Sequence, residues 1–229
     1  MSRVALIFGY GANIGKSVAA SFAAKGYKIA AVSRSAKHSE SSPDYLSIKA
    51  DLSDPSSVEG VFARVTSELG HPSVVIYNSS ATSVKNTDPI AEQLSALQSD
   101  NNVNIVSPYI AAQLATKSFA QLPAEPSKTF IYTGNKLNFI VVRPLLGLGV
   151  GKSGGAHLMH YLAEEYRDQG YKFYFADERK ADGAAVYGAI DGPAHGEFYT
   201  HLAEKKEQGP WLATFVKDQG YTKFSDSVV

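Results

Sequence analysis

Apolar and polar positions along this chain fall into two kinds of block. Val4–Phe8 is an unbroken apolar run ending in glycines, the pattern of a parallel strand buried on both faces. Ile14–Ala24 carries apolar residues at helical spacing and stops at Gly26. Tyr27–Val32 and Tyr45–Ala50 read as the next strands, separated by a serine-rich polar stretch from Ser33 to Pro43. Asp54-Pro55 opens a helix running to Gly70, with proline in the first turn, where its missing N–H costs nothing. Val74–Tyr77, Thr129–Tyr132 and Tyr171–Ala176 read as strands, Asn102–Phe119 and Ser153–Gln169 as helices, the last ended by Gly170. Such alternation, without a linker or internal repeat, predicts a parallel sheet covered by helices on both faces. The expectation is a single doubly wound α/β domain over residues 1–229.

Composition narrows the function classes. An apolar content of 44% over 229 residues supports a full core. The 22 basic and 22 acidic side chains cancel, which argues against a nucleic-acid or anionic-membrane binder. With no cysteine there is no disulfide, zinc-thiolate site or thiol nucleophile, which suits a reducing compartment; a cytoplasmic location is expected. No segment approaches the roughly 20 apolar residues of a membrane span, since the longest, Phe139–Val150, is broken by Arg143-Pro144. Met1–Gly9 reads as a buried first strand rather than a secretory signal, and Ser227-Val228-Val229 matches no address signal.

The first strand runs directly into Gly9-Tyr10-Gly11-Ala12-Asn13-Ile14-Gly15 and then a helix. Glycines here let the backbone turn tightly and approach a pyrophosphate, whose charge sits on the helix N-terminus. A glycine-rich turn without a ligand is the alternative, and the strand–loop–helix context favours the phosphate site. The spacing is the long form, with three residues between Gly11 and Gly15.

From here the chain resembles the short-chain dehydrogenase/reductase family, over roughly residues 3–176. Asp51-Leu52 stands where that family places an acidic residue near the adenine. Asn78-Ser79-Ser80 resembles a relaxed form of the family's Asn-Asn-Ala-Gly signature. Asn104 falls on the family's helix asparagine, and Lys152, followed by Leu162-Ala163-Glu164-Glu165, on its active-site helix. The resemblance implies a Rossmann-type fold and hydride transfer to or from a nicotinamide. It also implies a dimer or tetramer packed through the two long helices and a small-molecule substrate. Ser33-Arg34 stands where an NAD site usually carries a carboxylate, with Lys16 nearby; guanidinium and hydroxyl groups suit a 2′-phosphate, so NADP(H) is expected over NAD(H).

The pattern breaks at the proton-transfer positions. In the family a tyrosine exchanges the substrate proton, a serine holds the substrate oxygen, a lysine lowers the tyrosine pKa and grips the nicotinamide ribose, and an asparagine completes a water-linked relay. Asn104 and Lys152 match, but the tyrosine position, four before Lys152, is Leu148, which has no proton to give. Thr133 could supply the serine hydroxyl with a one-residue shift, although Gly134 is the straighter match. The family's Pro-Gly after the sixth strand is replaced by Asp177-Glu178-Arg179. Asp177 and Glu178 stand at the strand end where such folds bind ligands, and read either as acid–base groups or as surface turn residues.

His157 and His160 have the i, i+3 spacing of a metal pair but no evident third ligand, so no metal is expected. Gly147–Ser153 fails the spacing of a P-loop; its glycines read as a flexible entry to the Lys152 helix or as a close approach for a ligand. Residues 179–229 depart from the family and are expected to cover the substrate. His195–Glu204 has moderate helical character, and Trp211 either lines that pocket or plugs a core edge.

Overall fold

The computed structural model describes residues 3–83, 93–124 and 127–225. Met1-Ser2 and the C-terminal Ser227-Val228-Val229 lie outside the described residues. Eight strands form one sheet in the order β3-β2-β1-β4-β5-β6-β7-β8, all neighbours parallel except the β7–β8 pair. The strands are β1 (Arg3–Phe8), β2 (Tyr27–Ser33), β3 (Tyr45–Lys49), β4 (Val74–Tyr77), β5 (Thr129–Thr133), β6 (Lys172–Arg179), β7 (Leu212–Val216) and β8 (Gly220–Tyr221). The helices are α1 (Ile14–Ala24), α2 (Ser57–Glu68), α3 (Leu94–Asn101), α4 (Ser107–Ala120), α5 (Leu146–Glu165) and α6 (Gly192–Glu204).

Alternation along each strand feeds two cores. Phe8, Tyr77, Phe130, Tyr132 and Phe175 point to the face covered by α2, α4 and α5. Ile7, Ile76, Ile131, Tyr174 and Ala176 point to the face covered by α1 and α6. The first face carries an aromatic ladder across three strands, with Tyr77 on Tyr132 at 5.8 Å and Tyr132 on Phe175 at 5.7 Å.

Three differences from the sequence expectation bear on the site. Strand β6 continues through Asp177, Glu178 and Arg179, all three buried and paired along β7. Helix α5 starts at Leu146, seven residues before Ser153, so the glycine-rich run is helical rather than a flexible entry. The expected helix over Asn102–Phe119 begins earlier, at Leu94, and passes through a π-helical turn at Asn102–Val106. Sequence propensity missed the start of α5 because Gly147, Gly149 and Gly151 depress it there; packing supplies the compensation. Strands β7 and β8 follow the Trp211 region, where no strand was expected.

Candidate active site

The sheet order reverses between β1 and β4, and the loops at their C-terminal ends border a groove, the position at which open α/β sheets take ligands. Gly9 has φ +87°, and a Cβ there would lie 2.5 Å from the Ser79 backbone nitrogen, so only glycine fits. A Cβ on Gly15 would strike Gly9 and Tyr10. Gly11 differs: a Cβ there meets nothing within 4 Å, which leaves its backbone open to the groove. Asn78 fixes the turn by donating from Nδ2 to the Gly9 carbonyl at 2.9 Å. Asn13 does not cap α1 but donates to the Ile190 carbonyl at 3.0 Å, while Ile14 packs beneath the loop and Tyr10 meets Tyr45 edge-on.

One arm of the groove, a cavity of about 740 Å³, is bordered by Gly9, Tyr10, Gly11, Ser33, Arg34, Asp51, Leu52, Asn78 and Ser79. Asp51 accepts from the Ser53 backbone and hydroxyl at 3.0 and 2.9 Å, and these bonds hold its carboxyl below the usual range. Ser107 donates to the Leu52 carbonyl and Asn102 to the Ser53 carbonyl, tying this turn to the helix beside it. A smaller cavity adjoins Lys16, Ser33 and Ser35, with Glu40 on its wall. Nine of the residues expected to hold a dinucleotide thus border this arm, and the tight Gly9 and Gly15, the open Gly11 and the long polar groove fit the group.

The second arm is a chamber of about 520 Å³, joined to the first through Gly11, Asn78 and Ser80. Its apolar lining comes from Leu137, Ile140, Leu145 and Leu148 and from Val186, Tyr187 and Ile190. Tyr187 holds φ 48° at this wall, a conformation non-glycine residues rarely adopt. Lys152, Asp177, Glu178 and His195 also line the chamber.

Lys152 lies one helical turn after Leu148 and is 3% exposed. Its ammonium donates to the Thr133 carbonyl at 2.6 Å and sits 4.5 Å from the centre of the Tyr132 ring. Burial draws its pKa down to about 7, opposed by the charge of Asp177. Asn104 is fully buried, and its side-chain amide exchanges hydrogen bonds with the backbone of Ala81 at 2.8 and 3.0 Å. The π-helical turn leaves carbonyls for other donors: Tyr77 donates to Val103 at 2.6 Å and Tyr132 to Asn104 at 3.0 Å. Burial holds both phenols protonated, with pKa values raised above the usual range.

Thr133 reaches this region through its backbone. Its hydroxyl points to the opposite face of the sheet, where Tyr199 of α6 donates to it at 2.9 Å. A Cβ at Gly134 would overlap the Phe175 ring, so the straighter match to the family's serine has no space for a side chain.

The reading of Asp177 and Glu178 as surface turn residues does not hold, because they are 1% and 5% exposed. Strand alternation sends Asp177 and Arg179 to the Lys152 face and Glu178 to the α6 face. Arg179 Nε donates to Asp177 Oδ2 at 2.5 Å. Burial nevertheless raises the Asp177 carboxyl to about 6, against the lowering charges of Arg179, Lys152 and Lys136. Glu178 accepts from the Asp191 backbone at 3.0 Å and faces His195 Nδ1 at 3.6 Å. Burial raises the glutamate and lowers the histidine, so His195 stays neutral and donates from Nδ1 to the Asp191 carbonyl at 2.8 Å. The sequence signal for this cluster was the charged triplet directly after an apolar strand; its burial was not readable. His160 stacks on Trp211 with ring centres 4.5 Å apart, so Trp211 plugs the core edge, away from the chamber.

A mostly parallel sheet with a glycine loop at its switch point and a buried lysine lining an apolar chamber defines the class as a nucleotide-dependent oxidoreductase fold. Residues 3–175 match the short chain dehydrogenase family, and the chain belongs to that family. It is similar to the short chain dehydrogenase/reductase dmxR12 of Cryptosporiopsis sp. (strain 8999), with 44% identity over 235 residues, 97% of this chain and 95% of that protein. Its fold is that of a metagenomic short-chain oxidoreductase in complex with NADP, at TM-score 0.76 and 17% identity, covering 93% and 96% of the two chains. A short-chain type dehydrogenase/reductase from Mycobacterium marinum gives TM-score 0.74 and 18% identity, covering 94% of each chain.

Proposed function

We propose that this chain is an NADP(H)-dependent oxidoreductase acting on a small carbonyl or alcohol substrate, with a proton donor other than tyrosine. One observation carries this reading: Lys152 is buried against the apolar chamber that adjoins the polar groove, with its pKa drawn to about 7. When bound, the nicotinamide supplies or accepts the hydride. In this reading Lys152 holds the nicotinamide ribose and Asn104 fixes the loop at Ala81. The Thr133 carbonyl orients the ammonium, and the chamber walls exclude water from an apolar substrate.

Arg34 with Lys16, Ser33 and Ser35 would receive the 2′-phosphate, since all four border the adenine end and Arg34 is exposed there. Calorimetric titration is expected to give NADPH binding at least roughly tenfold tighter than NADH, a gap that Arg34→Ala narrows, as loss of a charge-assisted bond would. Equal affinities for the two would overturn the preference. A cytoplasmic homodimer or homotetramer packed through α4 and α5 completes the reading.

Leu148 favours a second reading, a non-catalytic NADP(H)-binding protein, because at the tyrosine position an apolar side chain faces the chamber. Tight NADPH binding with no turnover across aromatic and aliphatic ketones, aldehydes and enones would select it.

A further inference from the structure

We infer that Asp177 is the catalytic acid that exchanges a proton with the substrate oxygen, in place of the family's tyrosine. This rests on the oxidoreductase reading above.

The argument is one of placement. The chamber needs a proton donor on the Lys152 face, and Leu148 cannot serve. Asp177 lines the same chamber as Lys152 and Leu148, on a strand that runs three residues past its apolar stretch. One carboxyl oxygen, Oδ2, is held by Arg179 Nε. The Asp177 side chain is 1% exposed and borders the chamber. A carboxyl buried to this degree is costly as the anion unless neighbouring cations or a proton offset the lost hydration. Of the other buried acids, Asp100 accepts from the Ser83 amide at 2.8 Å, and Glu178 points to the α6 face, where the Asp191 amide and His195 meet it. The phenols nearest Lys152 are committed, Tyr77 and Tyr132 to backbone carbonyls and Tyr199 to Thr133.

The charges facing Asp177 are Arg179 from its own strand, Lys152 from α5 and Lys136 from the turn after β5; Glu178 and Tyr199 on the far face also feel its charge. Burial outweighs the three cations and leaves the carboxyl titrating at about 6, so part of it carries a proton near neutrality.

In the reductive direction the carbonyl carbon gains a hydride, with its electron pair, from the reduced nicotinamide. The C=O π pair moves onto oxygen, the Asp177 O–H bond breaks and its proton passes to that oxygen. The products are the alcohol, the oxidised nicotinamide and the Asp177 carboxylate, which takes a proton back from solvent or from the Lys152 ammonium. The oxidative direction reverses each step, with the carboxylate as base.

The test uses the full chain, NADPH and 9,10-phenanthrenequinone, a flat dicarbonyl suited to the apolar walls, with a panel of aryl ketones beside it. Asp177→Asn keeps an acceptor for Arg179 Nε and loses the acid. Its kcat is expected to fall roughly 100-fold or more, with NADPH affinity within about threefold of wild type. Wild-type kcat for reduction should decline as pH rises through about 6–7, and Asp177→Glu should restore part of both the rate and the profile. Carbon-13 NMR of aspartate-labelled protein should show one carboxyl titrating near 6 that is missing from Asp177→Asn. An unchanged rate and profile in Asp177→Asn, or an Asp177 carboxyl ionised throughout pH 5–8, overturns the inference and leaves the oxidoreductase reading standing. A wild type that binds NADPH yet reduces none of the probes overturns both. Should Asp177→Asn fail to fold, the titration and the Asp177→Glu profile decide.

Discussion

Burial sets the chemistry of single residues here. The Lys152 ammonium has exchanged its hydration for one carbonyl at 2.6 Å and one ring face at 4.5 Å. Its pKa drops from 10.5 to about 7, so between those values the unfolded chain holds a proton that the folded protein lacks. Unfolding then takes up a proton, and stability rises with pH across that window; below about 7 both states are charged and the burial cost is felt in full. Asp177 runs the other way: its pKa is raised from 3.8 to about 6, so its contribution falls as pH climbs between those values and is level above them. Lys152→Met removes the first titration. Calorimetry is expected to show the wild-type melting temperature gaining on that of Lys152→Met from pH 7 to 9.5, and parallel curves would contradict a neutral buried lysine. Lys152 itself was legible in the sequence from its place in the helix motif. The burial of Asp177 was not, because a charged triplet after an apolar run looks the same whether the strand stops or continues.

At the scale of elements, α5 is held by what its glycines admit. Cβ atoms at Gly147 and Gly151 would overlap Asp100 and Asn104, and one at Gly155 would crowd the Tyr132 ring. The stripe lets α5 close on the π-helical turn, and that approach sets Lys152 over Tyr132 and beside the Thr133 carbonyl. Gly149 lies off the stripe, with only the Leu137 carbonyl as near as 4.0 Å. Gly151→Ala is therefore expected to destabilise by about 1–3 kcal/mol through overpacking, while Gly149→Ala adds about 0.5–1 kcal/mol from helix propensity. Urea denaturation separates the two, and equal shifts would show that the stripe does not carry the packing. Propensity alone placed the helix start seven residues too late. It weighs each glycine by itself and cannot see the Asp100 and Asn104 side chains that need the space.

Across the whole molecule, the sheet order gathers loops from distant parts of the chain along one edge. The glycine loop, the Asn78 turn, the start of α5 and the 185–195 segment all border the groove and chamber. Buried Lys172 joins β6 to the end of α6, donating to the carbonyls of Leu202 and Ala203 at 3.3 and 2.9 Å, where a cation meets the helix dipole. Val106, Tyr109, Val150 and Tyr161 on the α4 and α5 side stay exposed. If that side packs against a second copy, light scattering after size-exclusion will give a dimer or tetramer at micromolar concentration. Tyr109→Glu with Tyr161→Glu would then shift it to monomer while the circular dichroism spectrum stays unchanged. A wild-type monomer would contradict the assembly.

The sequence by itself determined the α/β alternation, the glycine loop, Asn78, Asn104 and Lys152, and the absence of a tyrosine at Leu148. These are legible because period, turn chemistry and motif spacing are local properties of the chain. Only the tertiary structure decided that Thr133 offers its carbonyl rather than its hydroxyl, that Gly134 has no room for a side chain, and that Asp177 and Glu178 are buried on opposite faces of the sheet. Each of these depends on which face of a strand meets which helix, and on how much water that meeting removes. Both are properties of packing between segments far apart in sequence.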